Sequence, residues 1–180
     1  MIAITRPTRY AVSSRWVHWL TFAFVALAYL FIELKSEAAR GSPLRELLKQ
    51  AHFWSGFAVL LLLLPRVWLR SRQSPPPITP TPGAWSRRLA ALTHIVLYAF
   101  LLVQPLLGLA ALELSGKALA LPGGATLPLL GVSPDKDFAH SLEEIHETLG
   151  NIFYGVIALH IAAALWHHLV RRDDTLKRML

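Results

Sequence analysis

The chain has 180 residues and no cysteine. That absence excludes disulfides, thiolate ligation of haem, covalent haem attachment through paired cysteines, and iron–sulfur clusters. Any metal chemistry must rest on histidine, of which there are eight. Charge is scarce too: 16% of residues are charged against 54% hydrophobic, a balance foreign to soluble domains that points to lipid as the solvent. The polar, basic opening MIAITRPTRYAVSSR is followed by a long apolar stretch with no small-residue cleavage site, so it reads as an uncleaved N-terminus. The net charge of +7 forms no aromatic-interleaved patch on a soluble domain, which argues against nucleic acid as a partner. Inverted repeats and paired broken helices, the marks of a secondary transporter, are also lacking, and a haem-free proton or metal transporter is the weakest reading.

What the chain does contain is four long apolar runs. The first, WVHWLTFAFVALAYLFIEL over residues 16–34, is long enough to cross a hydrocarbon core of roughly 30 Å. A second run covers 50–70, with Pro65 as a potential kink, and a proline-rich connector, SRQSPPPITPTPGA, follows it. The third and fourth runs cover 89–112 and 144–169, with a Gly/Pro-rich loop between them. The expected fold is an all-α membrane protein: one domain over residues 1–180, a four-transmembrane-helix bundle.

Lys and Arg near the ends of the spans set orientation, because they stay preferentially on the cytoplasmic side. With the N-terminus inside, Arg6, Arg9, Arg15, Arg66, Arg70, Arg72, Arg87, Arg88, Arg171, Arg172, Lys177 and Arg178 all fall on the inner side, twelve of the eighteen basic residues. The outer segments keep the remaining six together with nine of the eleven carboxylates. Both termini are therefore expected in the cytoplasm of a bacterial cell, with lipid of the inner membrane around the spans.

Histidine inside an apolar span is costly and points to function. Two imidazoles that grip one haem iron must stand at the same depth on different helices, with small residues beside the porphyrin. His146 and His160 are fourteen residues apart, about four helical turns, so they share a face and lie roughly 21 Å apart along the axis. One helix thus offers a ligand to each of two stacked sites. His52 opens the second span as His146 opens the fourth, and each has a glycine one turn on, Gly56 and Gly150. These two form the expected outer pair.

His18 lies three residues above Arg15 at the inner end of the first span, and its partner must sit low on the fourth. Eighteen residues separate His52 from Arg70 at the inner boundary, and eighteen from His146 reaches Ala164. His160 is then four residues above the boundary, matching His18, whereas His167 falls below it. His18 and His160 form the expected inner pair, with Ala158, Ala162 and Ala163 leaving room. The bland reading, a histidine bonded to a carbonyl or lining a polar surface, is preferred for His94, His140, His167 and His168, although His94 is also placed to reach a haem propionate or a quinone.

Glu143, Glu144 and Glu147 around His146 read as a solvated acidic helix start favoured by the helix dipole, not as a hydrolytic metal site. Arg66, Arg70 and Arg72 read as topology anchors, with contact to a propionate or a quinone headgroup equally open. The tryptophans, Trp16, Trp19, Trp68 and Trp85 among them, read as an interfacial belt.

Several segments together resemble the bacterial cytochrome b561 family of small dihaem membrane cytochromes: RWVHWL around His18, QAHFWSG around His52, the RxxxR run of Arg66 and Arg70 before the proline-rich loop, LTHIVLY around His94, IHETLGN around His146, LHIAAALWHH around His160, and the closing DDTLKRML. The resemblance spans nearly the whole chain. It implies two haem b groups, on His18 with His160 and on His52 with His146, in agreement with the depth argument. It also implies oxidation of superoxide at the periplasmic face and reduction of ubiquinone in the membrane. Related cytochromes instead pass electrons from a periplasmic dehydrogenase or hydrogenase partner to quinone. The excess of carboxylates over basic residues in the outer segments bears against an anionic substrate, unless Arg45 and Lys49 form a local patch near His52.

Overall fold

The computed structural model describes residues 8–121 and 124–180; Arg6, counted above in the orientation argument, lies outside the described residues. Four long helices carry the structure: α1 (Val12–Glu37), α2 (Pro43–Arg72), α3 (Ala84–Leu114) and α4 (Lys136–Leu169). Two short strands, β1 (Leu119–Ala120) and β2 (Thr126–Leu127), pair antiparallel with Leu119 opposite Leu127 in the loop before α4. A 3-10 turn, Lys177–Met179, lies close to the C-terminus.

Every helix runs beyond the apolar run that announces it, because hydropathy marks lipid depth whereas capping chemistry marks the helix end. α2 starts at Pro43 rather than residue 50: the Ser42 hydroxyl accepts from the Arg45 amide at 3.2 Å, and proline suits the first turn, where its missing N–H is no loss. α4 starts at Lys136 rather than 144, where the Asp135 carboxylate accepts from the Phe138 amide at 3.0 Å. Pro65 and Pro105 both lie within unbroken helices. Residues 73–83 form the extended connector the prolines demand.

α1 packs along α2 and α3 along α4, and α2 against α3 joins these two hairpins. The shared core is small and apolar: Val59, Leu63, Phe100, Leu101 and Phe153 are buried, and Phe100 stacks on Phe153 with ring centres 3.7 Å apart and planes 15° from parallel. The outer surface is apolar as well, with Leu64, Leu159 and Trp85 exposed by 69%, 71% and 82%. A belt of this kind is stable only against lipid.

One end of the bundle, here the proximal end, gathers the start of α1, the 73–83 connector and the C-terminal segment. Trp19 Nε1 donates to the Met179 carbonyl at 2.8 Å, the Tyr10 amide to the Arg178 carbonyl at 3.1 Å, and Arg15 to the Leu180 carbonyl. Arg178 donates to the Pro76 carbonyl, and Asp174 exchanges two hydrogen bonds with the backbone of Thr79. The opposite, distal end carries the α1–α2 turn and the loop of β1 and β2. There the buried Glu113 carboxylate accepts from the amides of Leu129, Leu130 and Gly131, which pins the loop to the end of α3.

Candidate functional site

At the distal end His52 on α2 and His146 on α4 approach each other, ring centres 6.1 Å apart and planes 87° apart. His52 Nδ1 meets the Ala28 carbonyl of α1 at 2.8 Å, and His146 Nδ1 meets the Gln104 carbonyl of α3 at 3.0 Å. A carbonyl only accepts, so each Nδ1 carries the ring proton and each Nε2 keeps its lone pair. All four helices thus build the distal pair, two supplying imidazoles and two supplying the carbonyls that fix their tautomer.

The Gln104 side chain adds a clamp, its Nε2 donating to the His146 carbonyl at 2.6 Å. A Cβ at Gly150 would meet that Gln104 amide at 3.2 Å, and a Cβ at Gly108 would meet His146 Cε1 at 3.1 Å, whereas one at Gly56 would meet nothing within 4 Å. Gly56 therefore leaves open space, as the sequence suggests, but Gly150 makes room for Gln104. Gly108, which no spacing argument picks out, makes room for the ligand ring itself.

A cavity of about 480 Å³ opens beside the pair, within the range of roughly 300–1,000 Å³ usual for cofactor sites. It is lined by His52, His146, Gly56, Gly108 and Gly150, with Lys35, Arg45, Lys49 and Lys117 on its walls alongside Glu33, Glu143 and Glu147. Arg45 is fixed by the Lys35 and Ala38 carbonyls at 2.7 and 3.0 Å, and Lys49 pairs with Glu46 at 2.5 Å. Lys49 and Lys117 also line a second cavity of about 630 Å³ under the β1–β2 loop. Across the opening between α1 and α4, Tyr154 donates to Glu33 at 2.5 Å and Tyr29 to the Gly150 carbonyl at 2.8 Å.

The proximal end differs. His160 on α4 has its nearest histidine in His94 on α3, ring centres 5.7 Å apart, and His94 Nδ1 is bound to the Ala90 carbonyl of its own helix at 2.6 Å. His18 on α1 instead meets Nη2 of Arg66 through its Nδ1 at 3.0 Å, and the Arg66 guanidinium lies over the Tyr98 ring at 5.4 Å. His18, His94 and His160 therefore gather at one end, but His18 is engaged by a cation.

The remaining histidines sit at the ends of α4. His140 is exposed and lies 3.4 Å from Glu144. His167 Nδ1 binds the buried Asp173 carboxylate at 2.5 Å, and Asp173 also accepts from the Thr175 amide at 3.0 Å. Burial alone would raise the Asp173 carboxyl, but hydrogen bonds from His167 and Thr175 outweigh it and leave the group below the usual carboxylate range. Among the described residues, His168 Nδ1 is buried and meets no hydrogen-bond partner.

Two imidazoles sharing one metal, with bonds of about 2 Å and ring centres about 1 Å further, stand about 6 Å apart. The distal pair meets that span at 6.1 Å with both Nε2 atoms in the ligating tautomer, so its residues fit a bis-imidazole haem.

A family model described as prokaryotic cytochrome b561 matches residues 9–180. The chain is 38% identical to cytochrome b561 homolog 1 of Escherichia coli K12, over 96% of this chain and 97% of that protein. It is 35% identical to a probable superoxide oxidase CybB of Yersinia pestis, over 91% of each chain. To cytochrome b561 homolog 2 of Escherichia coli K12 it is 29% identical, over 97% of this chain and 92% of that protein.

Proposed function

Since the chain belongs to the prokaryotic cytochrome b561 family of membrane electron-transfer proteins, we propose that it holds two haem b groups and moves electrons from superoxide to ubiquinone. In this reading His52 with His146 would hold one haem at the distal end, and His18 with His160 would hold the other at the proximal end. The distal end faces the periplasm and the proximal end, with both termini, faces the cytoplasm. Haem held by two histidines would supply reversible one-electron iron chemistry at each end and would favour electron transfer over oxygen binding.

The observation that carries the proposal is the distal pair, two histidines on separate helices, each tautomer fixed by a carbonyl and both beside a cavity of cofactor size. The charge on that cavity supports an anionic electron donor. Of the six basic residues in the distal segments, Lys35, Arg45, Lys49 and Lys117 line it, so the local balance there is four cations against Glu33, Glu143 and Glu147. Positive walls raise the local concentration of a small anion. The likeness to a probable superoxide oxidase points to the same donor.

The residues of the chain divide the work. Lys35 and Lys117 attract the anion, Arg45 and the Lys49–Glu46 pair shape the rim, and Gln104 keeps His146 in register. Between the ends the Phe100–Phe153 stack fills the bundle and excludes water from the path. Two superoxide ions release two electrons and leave as dioxygen; ubiquinone takes up both electrons and two protons.

The test is turnover by the purified chain in detergent: superoxide is added to the oxidised protein, then ubiquinone, and the haem bands are followed. Reduction by superoxide and reoxidation by quinone is the expected result. Haem bands that a chemical reductant moves and superoxide does not would overturn the donor, in favour of a periplasmic dehydrogenase or hydrogenase partner.

A further inference from the structure

We propose that haem enters and leaves the distal site sideways from the lipid, through the seam between α1 and α4, and that Tyr29 and Tyr154 latch this seam. The inference rests on the reading that His52 and His146 hold a haem, and deepens it. α1 packs along α2, α2 against α3 and α3 along α4, but among the described residues α1 and α4 do not pack along each other. In the distal half two tyrosines tie them. Tyr29 of α1 donates to the Gly150 carbonyl of α4 at 2.8 Å, Tyr154 of α4 donates to the Glu33 carboxylate of α1 at 2.5 Å, and the two phenol rings stand 4.3 Å apart. All four residues line the cavity beside His52 and His146, so the seam is a side wall of that cavity.

The wall faces lipid. Tyr29 and Glu33 lie within the apolar run 16–34, Gly150 and Tyr154 within 144–169, and at the mouth Glu33 is exposed and Tyr154 is 41% exposed. A carboxylate in a membrane span is costly and points to function, with its partner as the second member. Side-chain hydrogen bonds part and re-form at small net cost, whereas interdigitated helices resist separation. The aqueous side of the cavity is tied more firmly. Arg45 holds the Lys35 and Ala38 carbonyls across the α1–α2 turn, Trp54 Nε1 donates to the Ala120 carbonyl at 3.0 Å, and three amides pin the β1–β2 loop to buried Glu113. A route there would also pass Lys49 and Lys117, which line both this cavity and the one under the loop. A flat, largely apolar macrocycle dissolves in the bilayer and loses less by entering from it.

The test follows loss of the distal haem from the purified holoprotein to an excess of apomyoglobin, since exit retraces entry. The chain has no cysteine, so a bis-methanethiosulfonate will bridge only the thiols introduced in E33C/Y154C. Bridged, this variant should lose distal haem more slowly by on the order of tenfold, because parting the seam is replaced by opening the bundle elsewhere. Cleaving the bridge with a phosphine should restore the fast loss. Y154F, which cuts one tie without a bridge, should lose distal haem roughly fivefold faster than the parent, the worth of one hydrogen bond. The same bridge in S36C/K117C, joining the end of α1 to the loop after α3, should leave the rate unchanged. Equal loss from bridged and unbridged E33C/Y154C would overturn the proposal, as would slowing by the S36C/K117C bridge alone, which would place the route at the aqueous end. A purified chain with no distal haem to lose would instead strike the dihaem reading itself.

Discussion

At the distal end each imidazole has its Nδ1 on a carbonyl from a neighbouring helix, whereas at the proximal end one of the expected ligands is bound by a guanidinium. The distal pair spans 6.1 Å between ring centres with a cavity beside it. The proximal end has three histidines, and the two closest, His94 and His160 at 5.7 Å, are not the two that helix depth pairs. The two ends orient their imidazoles differently: backbone carbonyls of neighbouring helices hold His52 and His146, and a guanidinium holds His18.

The sharpest way to break the comparison is to remove one ligand at a time. His146→Ala or His52→Ala should remove the distal haem and leave the proximal spectrum, and His160→Ala or His18→Ala should do the reverse. A His18 variant that kept both haems while a His94 variant lost one would transfer the proximal ligand from α1 to α3.

A smaller effect is expected from crowding the distal ligand without touching it chemically. Gly108→Val places branched carbon where even a Cβ would stand 3.1 Å from His146 Cε1, and overpacking of this kind costs about 1–3 kcal/mol. Distal haem affinity should fall by roughly ten- to a hundredfold with the proximal site unaffected. Titration of the stripped protein with haem measures it, and an unaltered distal affinity would mean that the ring does not hold this position in the loaded protein.

The smallest effect concerns the proximal cap. Asp173→Asn keeps an acceptor for His167 but loses the charge, a loss of about 1 kcal/mol. The carboxyl lies below the usual range, so its contribution is present above the ordinary aspartate pKa and disappears as pH falls through the lowered value. Hydrogen exchange of residues 170–180 should be faster in the variant at neutral pH, and only the parent protein should show a further loosening in strong acid.

These contrasts also separate what a sequence reveals from what it hides. Lipid demands continuous apolar runs, so the four spans are legible, and the fixed rise of a helix converts residue number into depth, which is how His52 and His146 find each other. Helix ends are less legible, because Pro43–Lys49 and Lys136–Glu143 are polar helix that extends past the apolar runs. Least legible is anything set by how helices rotate about one another. Gly108 against His146, the Gln104 clamp and the bond from Arg66 to His18 all join residues on different helices with no periodic signal between them. Of the two glycines that spacing picks out, Gly56 stands beside open space and Gly150 beside the Gln104 amide, a difference that spacing alone does not carry.

The measurement that tests the account most directly is a haem count on the purified chain, by extraction and by reduced-minus-oxidised spectra. Two b-type haems per chain, both low-spin with two imidazole ligands, is the expected result. A chain that binds none, or a single haem that survives loss of both His52 and His146, would contradict it.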